Sequence, residues 1–105
     1  MLVEISDYVY NKRETKVEFS RHDLMSLDAT LALVIAPALR AFKEKTYSIP
    51  GQLNATGWHD ILDKMAWSFE EIATGRHYEN TTEEYYLKVQ EGFDLFAKYY
   101  LDLWI

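Results

Sequence analysis

From Leu31 to Leu39 the chain carries no charged and no hydrogen-bonding side chain. The run lies inside Ser26–Lys45, SLDATLALVIAPALRAFKEK, the least polar part of the sequence. A helix that is apolar on nearly every face has to be wrapped by other elements. At about 20 residues it spans roughly 30 Å, the width of a small domain. Charges at Asp28, Arg40, Lys43, Glu44 and Lys45, together with the shortness of the apolar run, argue against a membrane span. The stretch therefore reads as a buried central helix. Ser26 is placed to cap it, and Asp28 suits the positive end of its dipole. Arg40, Lys43 and Lys45 sit near the negative end. Pro37 removes its own N–H, crowds the carbonyl of Leu33 and pushes Ala36 away from helical angles. A kink or a split is expected there.

The other elements follow from periodicity. In residues 2–10 Val3 and Ile5 fall on one face, and in residues 15–20 Val17 and Phe19 do the same, the period-2 signal of half-buried strands. Polar Asn11–Glu14 suits the connection of a hairpin. A lone hairpin is marginal in water, so it is expected to lie against a helix. Pro50-Gly51 marks a turn within the loop Tyr47–Gly57. Trp58–Thr74 reads as the second helix, with Asn54 or Thr56 as its cap and Gly75 ending it. Thr82–Trp104 reads as the third, capped by Thr81 or Thr82, with Tyr86, Val89, Phe93, Phe96, Tyr100 and Trp104 as its apolar stripe. The expected fold is a single α+β domain over residues 1–105. An N-terminal β-hairpin packs on a three-helix core whose first helix is kinked at Pro37.

Composition narrows the function classes. Hydrophobic residues make up 49% of the 105 and aromatics 15%, enough for a core and too much for disorder. With no cysteine, disulfides, thiolate metal sites and cysteine nucleophiles are excluded. MLVEISDYVY has no basic region followed by an apolar run, so no signal peptide is expected and the location is read as cytoplasmic. The net charge is −6, and residues 58–105 hold it, with 4 basic against 10 acidic side chains. Residues 26–57 carry 3 basic against 2 acidic. Without a basic face, direct binding to nucleic acid is not expected. An acidic surface suits solubility and also a basic partner.

His59 and Asp63 stand at i,i+4, and with Asp60, Glu70 or His77 they make a divalent metal site conceivable. The spacing matches no strong metal motif, and a solvated polar face explains it as well. Glu70-Glu71 and Glu83-Glu84 resemble the acidic pairs of helical nucleotide pyrophosphohydrolases, but the full acidic pattern is missing. Glu83-Glu84 is better explained by a helix N-terminus. Among the 16 aromatics, Tyr85, Tyr99 and Trp104 are expected to be partly exposed, which suits self-association through the third helix.

An ordered set of motifs carries a resemblance. Asp28-Ala29-Thr30-Leu31-Ala32 is followed by Ile35-Ala36-Pro37-Ala38-Leu39, then Trp58, Ile61-Leu62-Asp63-Lys64-Met65 and Trp67-Ser68-Phe69-Glu70. Gly92, Leu95-Phe96-Ala97-Lys98-Tyr99-Tyr100 and Leu103-Trp104 complete it. Together, over roughly residues 16–104, they resemble a group of short proteins of tailed bacteriophages with no assigned function. Members often carry a longer acidic, His-containing insert before the second helix, where this chain has only YSIPGQLNATG. The resemblance implies a phage accessory protein in the cytoplasm of the infected cell. Asp28, Thr30, Lys43, Trp58, Trp67, Glu70, Lys98 and Tyr99 are its polar and large aromatic members, and an aromatic platform with convergent polar groups suits a small-ligand pocket. The leading expectation is a non-enzymatic protein, without cofactor or metal, that binds a host or defence protein through acidic second and third helices. A binder that sequesters a nucleotide signal, possessing Trp58, Trp67 and Lys98 in its pocket, is the alternative. A metal-dependent hydrolase using His59, Asp63 and Glu70 is the third reading.

Overall fold

The computed structural model describes residues 1–104. Strands β1 (Leu2–Ile5) and β2 (Thr15–Glu18) form an antiparallel hairpin, followed by helices α1 (Arg21–Met25), α2 (Leu27–Lys45), α3 (Ala55–Ala73) and α4 (Glu83–Tyr99). Short 3-10 turns at Arg76–Tyr78 and Tyr100–Asp102 follow α3 and α4. The fold is α+β, as the periodicities predict.

In the hairpin Val3 pairs with Val17 and Ile5 with Thr15. That register puts these four side chains on one face and Glu4, Lys16 and Glu18 on the other. The chain reverses at Tyr10 and Asn11, both at positive φ (52° and 64°), the geometry that matches strand twist in a two-residue turn. The hairpin does not lie over the helices. Among the described residues, neither strand has a Cα within 8 Å of a helix. The link to α1 is only Phe19 and Ser20, and Ser20 is committed to a capping box. Its Oγ accepts from Asp23 N (3.1 Å) while Asp23 Oδ2 accepts from Ser20 N (2.8 Å). A capped helix start leaves no slack for the hairpin to fold back. The Met1 amino group on Asp23 (2.8 Å) is its side-chain tie to α1, and it pulls the Asp23 carboxyl down to about 2. The radius of gyration, 15.5 Å, exceeds the roughly 13 Å of a compact domain this size because the hairpin projects.

Arg21–Met25 is a helix of its own, and Ser26 makes no side-chain cap to α2. The junction is held instead by the Thr30 hydroxyl, which donates to the carbonyls of Asp23 (2.9 Å) and Ser26 (3.2 Å). Beyond it α2 runs unsplit through Pro37. Pro37 and Leu33 are both on the solvent side, so water can meet the Leu33 carbonyl that proline leaves without a donor.

The central helix is α3, not α2. Both α2 and α4 pack on α3, and no Cα pair within 8 Å joins α2 to α4. Three helices thus form one layer in a molecule 19 Å thick. Leu39 of α2 and Trp58, Leu62, Met65 and Ala66 of α3 are its core, with Phe42, Leu95, Phe96 and Tyr99 packed on them. On α2 only Thr30, Ala32, Ala36 and Leu39 are buried. Small residues there let the helices approach closely; of the larger side chains of the apolar run Leu39 goes inside, Ile35 is half-buried, and Leu31, Leu33 and Val34 are left on the outside. On α4 the fully buried positions are Tyr85, Val89 and Gly92; Val89 and the half-buried Phe93 and Phe96 belong to the expected stripe, but Tyr85 takes the inside in place of Tyr86, which is exposed. Gly92 sits where α4 crosses α3. A Cβ there would fall on Ser68 Oγ, 2.5 Å from the Lys64 carbonyl oxygen and 2.6 Å from Ser68 Cβ. Ser68 donates its hydroxyl to the Val89 carbonyl (2.9 Å) across the same crossing. Asn54 caps α3, Thr82 caps α4 and Gly75 turns the chain at φ 73°, as the sequence predicts.

Candidate interaction surfaces

The eight residues singled out from the sequence do not converge on one pocket. Thr30 is buried at the α1–α2 junction, and Asp28 is exposed two residues before it. Trp58 is in the core, 1% exposed, edge-on to Phe42 (6.4 Å) and Tyr99 (5.5 Å). Its indole N–H has no partner. Lys98 lies over the Tyr99 ring on the outside (5.2 Å). Trp67 is on another part of the α3–α4 seam, edge-on to Tyr85 (5.7 Å) with Lys88 over its ring (5.4 Å). Lys43 and Glu70 belong to the α2–α3 seam.

That seam is an ion-pair network organised by Arg40, which the sequence marked only as a charge near a helix end. Arg40 donates from Nε (3.0 Å) and Nη2 (2.7 Å) to the two oxygens of Glu70, and from Nη1 to Asp63 (2.7 Å). Lys43 reaches the same Asp63 oxygen (2.8 Å). Two cations therefore balance two carboxylates, and the fork geometry fixes how α2 sits on α3. The hydrogen bond from Lys43 holds Asp63 below its ordinary carboxylate range, and Arg40 does the same for Glu70. Carboxyls lowered in the fold add stability above their unfolded values near pH 4 and lose it as pH falls through the folded values. Replacing Arg40 with Gln is expected to lower the melting temperature at pH 7, with the gap to wild type closing towards about pH 3. The side chains are 35–41% exposed, so screening limits the effect to about 1 kcal/mol. A gap of equal size at both pH values would sink this account.

Glu71 is the buried carboxylate of the molecule. It accepts from the Tyr85 hydroxyl (3.0 Å) and from Arg76 (3.0 Å), while His77 Nδ1 lies 3.3 Å from its backbone carbonyl. Burial, and then the bond to Glu71, pushes the Tyr85 hydroxyl up to about 12. This trio ties the end of α3 to the start of α4. The sequence marked Glu71 only as one of a pair of adjacent acids, with nothing local to show that it is buried.

Among the described residues two outward faces of the helical layer stand out. On α4, Glu83, Leu87, Gln90 and Asp94 share one exposed stripe, with Glu84 and Glu91 beside it. Among the described residues only Glu91 of these acids is paired, to Lys64 (2.8 Å). On α1 and α2, Leu24, Met25, Leu27, Leu31, Leu33 and Val34 are exposed, along with Pro37, Ala38 and Ala41. A groove of about 280 Å³ between Phe42 on one side and Phe96 and Leu103 on the other borders that face. A second hollow of about 300 Å³ is lined by Asp63, Lys64, Trp67, Lys88 and Glu91.

Among the described residues no three His, Asp or Glu side chains are arranged to hold a metal, and no helix is long and apolar enough to cross a membrane. Asp63 and Glu70 are both engaged with Arg40, and His59 is exposed a turn before Asp63. No known family, curated protein or solved structure matches the chain.

Proposed function

We propose that this chain is a non-enzymatic phage accessory protein that docks on a basic host or defence protein through the outer face of α4. The observation that carries the reading is the Glu83–Asp94 stripe. Its carboxylates lack cationic partners, while the acids of the α2–α3 seam are all neutralised. A stripe of unpaired acids around one exposed leucine steers a basic partner and gives it an apolar anchor. The phage assignment rests on the motif resemblance alone. The test is capture from host lysate with wild type and with an E83K/E84K/D94K variant. Capture of one host protein that weakens with salt and fails with the variant is expected. Capture unchanged by the charge reversal would reject the docking face.

The hollow beside Trp67 favours one other reading, a small anionic ligand stacked on the indole between Lys64 and Lys88. A rise in melting temperature with added nucleotide, abolished by W67A, would put that reading first.

A further inference from the structure

Leu27, Leu31, Val34 and Ala38 recur at three- and four-residue steps and form one outward stripe along α2, and Leu24 of α1 is exposed just before it, across the non-helical junction at Ser26. Their large members are 38–56% exposed, and Met25 beside them is 72% exposed. Leu33 and Pro37 form the margin, where the Leu33 carbonyl keeps access to water. With that margin they make a largely apolar surface of the kind that marks an interaction site on a soluble protein.

We propose that two copies of this chain associate through this face, α2 against α2. Charge selects the occupant. The net −6 comes from residues 58–105, so two copies repel each other through α3 and α4. Residues 26–57 are slightly positive, and α2 has no charged side chain from Ala29 to Leu39. On the helical layer the stripe is therefore the face where like copies meet without repulsion. A single apolar stripe is also complementary to itself about a two-fold axis. In an antiparallel pair the end of one α2 bearing Asp28 meets the end of the other bearing Lys45, so opposite charges and opposite helix poles face each other. The acidic stripe is on α4 and forms no part of this contact, which leaves two such stripes per dimer.

The experiment is sedimentation velocity over about 1–200 µM for wild type, L31E/V34E and L87E. Wild type is expected to be dimeric in this range. Placing carboxylates in the stripe should raise the dimer dissociation constant at least about 100-fold, and L87E should leave it unchanged. Both substituted positions are exposed in the monomer, so the helical spectrum should persist. Should L31E/V34E lose it, L31S/V34S is the replacement, with at least about a ten-fold loss of dimer expected. A monomer throughout the range, a dimer that survives these stripe variants, or one that L87E dissolves would each overturn the proposal.

Discussion

Replacing Gly92 with Ala is expected to destabilise the protein by at least about 2–3 kcal/mol, lowering the melting temperature of a chain this size by roughly 10–20 °C. The sign is the test. At an ordinary position inside a helix the same change stabilises by up to about 1 kcal/mol, because alanine restricts the unfolded chain. At Gly92 the added methyl group falls on Ser68 and on the Lys64 carbonyl. The carbonyl is backbone, so no rotamer change can move it aside. The helices must separate, and that breaks the Ser68–Val89 hydrogen bond. S68A added to G92A is expected to recover only part of the loss, since the Lys64 contact at 2.5 Å persists. A G92A variant that melts at or above wild type would show that α3 and α4 do not approach this closely.

Trp58→Ala carries the other large effect, about 3–5 kcal/mol of lost stability measured by denaturant titration. The indole fills the space between Phe42, Tyr99 and the α3 core, and 1% exposure means that nearly all its surface is recovered on folding. Trp58→Phe should cost less than its volume change suggests. The phenyl ring keeps the edge contacts and removes a buried N–H that has no acceptor. An alanine variant within about 0.5 kcal/mol of wild type would mean that Trp58 is a surface platform, as a stacking role for it requires.

How legible the fold was depends on the residue. Thr82, Asn54 and Gly75 announce helix ends because their chemistry acts on adjacent backbone, and the structure puts them to that use. Arg40 is different. Its weight comes from Glu70, thirty positions away, and nothing local distinguishes it from Lys43 or Lys45. Gly92 reads as a flaw in a helix until the crossing with Ser68 is seen. The Leu31–Leu39 run shows the sharper limit. Apolarity says that a surface gains by leaving water, not which element covers it. Alanines at positions 32 and 36 took the inside, and leucines 31 and 33 stayed out. Of the candidate ligand residues, spacing rightly put Trp58, Trp67 and Tyr99 on helices. It had no means of telling that Trp58 and Tyr99 meet in the core while Trp67 sits elsewhere on the seam.

The single-layer arrangement has a consequence for how the protein comes apart. Among the described residues no Cα pair within 8 Å joins α2 to α4, and the two meet only through side chains around the groove of Ile35, Phe42 and Phe96, so the α2–α3 and α3–α4 seams have largely separate unfolding routes. Amide exchange should then sort the molecule into three lifetimes: the hairpin shortest, the two flanking helices intermediate and set independently of each other, and the middle of α3 around Leu62 and Met65 longest. A ligand or partner that clamps one flank should slow exchange there and in α3 while leaving the opposite flank at its own rate. In a closed bundle the same event would be felt on every side.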